Sequence, residues 1–134
     1  MNNPGSYSLY AASPTTALTA SAQTPITDLD GMLAVTLEAE VVGFTGGSSV
    51  QVLVQTSLDG GTTWLDAANF YFTGAGKKFA TMSGTAETAI ASYAALTSST
   101  DGKNAGLMGT QYRAVITTVG TFSNTSVSAR LIAR

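Results

Sequence analysis

Strict alternation of apolar and polar residues limits this chain's fold more than any other feature. In LAVTLEAEV (33–41), Leu33, Val35, Leu37, Ala39 and Val41 share one face, while Ala34, Thr36, Glu38 and Glu40 share the other. A period of two is the signature of a half-buried antiparallel strand. SVQVLVQTS (49–57) repeats the pattern, with Val50, Val52 and Val54 opposite Gln51, Leu53 and Gln55. The turn formers of GFTGGS between them predict a hairpin.

Further strands are expected at TWLDAANFYF (63–72) and KKFATMS (77–83), with TGAG predicting a second hairpin between them. YRAVITTV (112–119) and NTSVSARLIAR (124–134), joined by GTFSN, give a closing pair. TAETAIASYAAL (85–96) is alanine-rich and suits a short helix or a strand; its Thr, Ser and Tyr content favours strand. All three prolines, Pro4, Pro14 and Pro25, fall early in the chain. Proline opposes helix interiors and central strands. Residues 1–25 are therefore expected to form an extended arm, with one edge strand near Leu18 to Ala22, before a β-sandwich domain over 26–134. The expected class is all-β: an antiparallel sandwich of seven or eight strands, jelly-roll-like or immunoglobulin-like.

Composition narrows the chemistry. The 134 residues contain no cysteine and no histidine. That excludes disulfides, thiolate chemistry and the commonest general base and metal ligand. Charged residues make up 10 % of the chain and the net charge is −2. A nucleic-acid partner would call for a stripe of Lys and Arg, and only Lys77–Lys78 are adjacent. No apolar run approaches the length of roughly 18 residues that a membrane-crossing helix needs. MNNPGSYSLYAAS has neither a basic start nor an apolar core, so no secretory signal is expected. A weakly charged, Thr-rich surface fits a protein covered by neighbours, and a homo-oligomer is expected.

SLDGGTTW (57–64) is the most specific stretch. Asp59 can accept bonds from backbone N–H groups just downstream. Gly60 and Gly61 permit positive φ. Thr63 starts a return strand, and Trp64, the only tryptophan, can lay its ring over the turn. Ser57, Asp59, Gly61, Thr63 and Trp64 follow the S-x-D-x-G-x-T-W pattern and resemble the Asp-box of sialidases and other β-propellers. The resemblance implies a hairpin whose loop is locked from within. A sialidase would carry several boxes and an arginine cluster, whereas this chain has one box and only Arg113, Arg130 and Arg134.

Other candidates are weaker. Asp28 and Asp30 in TDLDG resemble the start of a calcium loop but lack the downstream glutamate, so a turn before Leu33 is expected. Glu38 and Glu40 share a strand face, as paired glycosidase acids could, but solvated surface acids are the simpler reading. No catalytic residue, metal site or cofactor is expected.

VQTSLDGGTTWLDAANFYF (54–72) and YRAVITTVGTFSNTSVSARLIAR (112–134) together resemble small β-sandwich proteins of tailed-phage virions. That resemblance implies a non-enzymatic virion component, either a capsid decoration (cement) protein or a head–tail or tail part. Its partners would be the major capsid protein or other virion proteins, with assembly in the host cytoplasm. Tyr7, Leu9 and Tyr10 are the candidate interface anchors on the arm. The competing reading is a carbohydrate-binding module on the virion surface, with Trp64, Tyr71 and Tyr93 as a stacking platform.

Overall fold

The computed structural model describes residues 3–84, 89–96 and 99–134. Among these described residues, nine antiparallel strands form two sheets: β1 (Gly5–Ala12), β2 (Ser21–Ala22), β3 (Ala34–Val42), β4 (Thr45–Ser57), β5 (Leu65–Phe72), β6 (Gly76–Ser83), β7 (Gly102–Lys103), β8 (Gln111–Ser123) and β9 (Ser126–Ala133). One sheet has the order β1-β9-β3-β6 and the other β2-β8-β4-β5-β7. The expected all-β sandwich is present, with one strand more than the upper expectation because β2 and β7 are short two-residue edge pieces.

Alternation assigns the faces as read. Val35, Leu37, Ala39 and Val41 of β3 pack inward with Val127, Ala129, Leu131 and Ala133 of β9. From the second sheet, Val50, Val52, Val54, Phe70, Phe72, Ala114 and Ile116 meet them in one apolar core. Tyr112 is fully buried there, and burial pushes its phenol up to about 12.

The connectivity departs from expectation. GFTGGS and TGAG do not close hairpins: β3 and β6 belong to one sheet, β4 and β5 to the other, so both segments cross between layers. Alternation reports which face of a strand is buried, not which sheet the strand joins. At one end of the sandwich the β3–β4 crossover nests against the β8–β9 crossover. Gly43 has φ +71°, and a Cβ there would stand 2.3 Å from the Asn124 carbonyl oxygen. Phe44 meets Phe122 edge-on, with ring centroids 5.1 Å apart.

The N-terminal segment is not a detached arm. Residues 5–12 pair along the length of β9, with a bulge at Leu9. Residues 15–26 run along the edge of β8, bonding at Leu18, Gln23 and Ile26 and pairing as β2. Pro4 and Pro14 bracket β1 rather than preventing it, consistent with the tolerance of strand ends for proline. The expected strand at 85–96 is not formed over 89–96, which are irregular; residues 85–88 lie outside the described residues.

Candidate functional site

The 57–64 loop closes the ribbon between β4 and β5, and Thr56 pairs with Leu65 at its mouth. Ser57 Oγ donates to Asp59 Oδ1 at 2.9 Å and accepts from the Gly61 N–H at 2.8 Å. Asp59 Oδ1 also accepts the Thr63 N–H at 2.8 Å, and Asp59 Oδ2 accepts the Thr63 hydroxyl at 2.5 Å. Gly60 and Gly61 take φ +73° and +96°, the left-handed turn that glycine adopts without steric cost. The loop is tied to the next strand as well. Thr56 Oγ1 donates to the Gln111 carbonyl and accepts the Gly109 N–H, and the Thr110 N–H reaches the Ser57 carbonyl.

Those bonds set the electrostatics. The Thr63 hydroxyl and N–H, assisted by Ser57, hold the Asp59 carboxyl down at about 2. A carboxylate so strongly hydrogen-bonded is a poor base, and both of its oxygens already have donors. Ser57 is fully buried, so its hydroxyl is turned inward on the loop rather than presented to solvent. Chemically, the motif is a self-contained turn.

Trp64 does not lie buried over the turn as expected. It is half-buried, and the Arg113 guanidinium sits over its ring with the central carbon 4.5 Å from the centroid. Arg113 begins a polar row across the outer face of the five-stranded sheet. Its Nε donates to Gln55 Oε1 at 2.9 Å, and Gln55 Nε2 donates to Asp66 Oδ1 at 2.9 Å. Asp66 ends the row, only 4 % exposed. Its Oδ2 accepts the Leu96 N–H, and its own N–H donates to the Tyr93 hydroxyl, each at 2.8 Å. Asn104 Nδ2 adds bonds to the Asp66 and Ala94 carbonyls. Asp66 and Asn104 thus hold the irregular 89–96 segment against β5. Sequence reasoning missed both. A buried acid on a strand with the sequence LDAAN carries no motif; the only signal was a carboxylate between residues expected to be buried.

The proposed stacking trio is not one platform. Tyr71 pairs with Gln51, and Asp66, two residues after Trp64, pairs with Gln55. Four residues along β4 separate those rows, roughly 13 Å at strand spacing. The Tyr93 hydroxyl is engaged at Asp66.

Of the candidate anchors, Leu9 is 4 % exposed in the chain's own core, and Tyr7 and Tyr10 are half-buried against that core. Burial raises the Tyr10 phenol. Leu9 therefore cannot serve as an anchor on a free arm: its partner is its own sandwich. Glu38 and Glu40 share the outer face of β3 as read, paired across it with Arg130 and Ser128 of β9 and with Phe79 and Lys77 of β6. Glu40 makes an exposed ion pair with Lys77 at 3.6 Å. Asp28 and Asp30 lie in an exposed turn before β3, with Asp28 at φ +63°. Among the described residues, no three Asp or Glu side chains group to hold a metal ion, and no helix is long and apolar enough to cross a membrane.

Comparison with protein families finds no match to this chain, and comparison with curated proteins finds none either.

Proposed function

We propose that the chain is a non-enzymatic structural protein of a tailed-phage virion, specifically a capsid decoration protein seated on the head surface beside the major capsid protein. One observation carries this reading. The stretch most like a chemical site uses its polar groups on itself: Ser57, Asp59 and Thr63 bond one another and lock a ribbon end. What remains is a weakly charged two-sheet sandwich, suited to covering and being covered. The N-terminal segment is built into that sandwich, so attachment would use sheet edges and faces rather than a loose arm.

The test is proteomics of purified virions of the source phage, followed by cryo-electron microscopy of the same particles. The expected result is this chain in fixed ratio to the major capsid protein, with density for the two-sheet domain on the head exterior. Its absence from purified virions overturns the reading. Density at the neck or tail would support the competing placement as a head–tail or tail subunit. The glycan-binding alternative needs bare aromatic faces, and Arg113 already covers one face of Trp64.

A further inference from the structure

The sequence contains three lysines, Lys77, Lys78 and Lys103, and all three line one groove. It opens where the edge of β6 faces β5 and β7, with a volume of about 530 Å³. Phe70, Phe79 and Ala80 supply its apolar surface. Phe79 is 74 % exposed, an unusual position for a phenylalanine in a chain with five.

The β6 side of the groove is an open strand edge. The Gly84 N–H bonds the Leu33 carbonyl, so residues 76, 78, 80 and 82 turn their backbone groups towards β3. Lys77, Phe79 and Thr81 turn theirs outward. Lys103 Nζ donates to the outward Thr81 carbonyl at 3.0 Å, which confirms that direction. Among the described residues, no backbone bond is formed from that side of Lys77, Phe79 or Thr81. Exposed edges of this kind are templates for an added strand.

Charge identifies the occupant. Asp101 offsets Lys78 at 2.8 Å and Glu40 offsets Lys77 at 3.6 Å, whereas Lys103 is met by a neutral carbonyl. The groove is therefore a net positive site on a chain of net charge −2. A second copy is the poorer fit, because neither of its eight-residue edge strands, β1 (GSYSLYAA) and β6 (GKKFATMS), carries an acid.

We propose that this groove takes an extended acidic segment of a partner protein, added as a strand to the edge of β6. Its backbone pairs with Lys77, Phe79 and Thr81. An apolar side chain covers Phe79, and a carboxylate replaces the Thr81 carbonyl as the partner of Lys103. The proposal stands independently of the virion reading, since it specifies the chemistry of the partner and not where it resides.

The experiment is an NMR titration of the intact chain with a blocked hexapeptide of alternating valine and glutamate, set against its valine–lysine counterpart. The acidic peptide should shift the amides of Lys77, Phe79, Thr81 and Lys103, and added salt should weaken binding. Lys103→Gln should weaken it by roughly fivefold, the upper range for an exposed ion pair. Phe79→Pro, at an edge position whose N–H faces outward, should abolish it while the remaining spectrum stays folded. If those amides stay still, or the basic peptide moves them equally, the proposal fails. Concentration-dependent shifts of the same amides without peptide would assign the edge to a second copy and also overturn it.

Discussion

Arg113 sits over the ring of Trp64, its guanidinium carbon 4.5 Å from the indole centroid, and at the same time donates to Gln55. The closing turn of the β4–β5 ribbon and the polar row across the sheet are thereby one unit. A double-mutant cycle with Trp64→Leu and Arg113→Ala should return a coupling of about 0.5–1 kcal/mol, the range for a partly exposed cation–π pair. Because Trp64 is the only tryptophan, Arg113→Ala should also shift its fluorescence to longer wavelength without unfolding the domain.

The Asp59 turn makes stability depend on acid. The folded carboxyl titrates at about 2, below its ordinary value of 3.8. The unfolded chain therefore binds this proton first as pH falls. The stabilisation is complete above the ordinary value and is lost as pH drops towards 2. Urea melts between pH 5 and pH 2 should show a smaller loss of stability in Asp59→Asn than in the parent protein. Equal slopes would show that the Thr63 bonds do not favour the charged form.

Tyr112 imposes the opposite limit. Its phenol is held at about 12, against an ordinary 10.0. Between those values the unfolded chain loses a proton that the folded chain keeps, so stability is intact below pH 10 and declines as pH rises towards 12. Ultraviolet titration of the five tyrosines should leave at least one phenol un-ionised at pH 11 until the protein unfolds.

Asp66 should act at a distance through the segment it holds. Removing its carboxylate strands the Leu96 N–H and the Gln55 amide in a largely buried setting. Asp66→Ala should cost about 1–3 kcal/mol. Hydrogen exchange should accelerate over residues 89–96 first, with the β3–β9 pairing protected longest.

Leu9 distinguishes an integral strand from a loose arm. With Leu9 at 4 % exposure in the core, Leu9→Ala should destabilise the isolated chain by about 2–5 kcal/mol, read from chemical denaturation. An effect near zero would mean that the segment gains its order only from a neighbour.

Much of the fold was legible in the letters. The inward sets of β3, β4 and β9 follow from a two-residue period, because burial on one face enforces it. The locked loop at 57–64 was legible because its bonds are local, between residues at most four apart. What escaped is non-local. GFTGGS and TGAG have the composition of hairpin turns, and nothing within them records that the flanking strands join opposite sheets. β1 escaped because the three early prolines pointed to an extended arm, whereas its pairing is with β9, more than a hundred residues later. Asp66 escaped because its partners, Gln55, Tyr93 and Leu96, lie 11 to 30 residues away. The resting place of Trp64 was missed for the same reason, since it is fixed by Arg113 on another strand.

The position of β9 bears on how the domain is made. It follows every other strand in the chain, yet it lies between β1 and β3 in the interior of the four-stranded sheet. During synthesis, therefore, β1 leaves the ribosome long before its partner β9, and one layer stays open until β9 follows. Folding should be slow and all-or-none, as topologies rich in distant pairings are. Nascent chains stalled before residue 126 should remain protease-sensitive however many of the earlier strands have emerged.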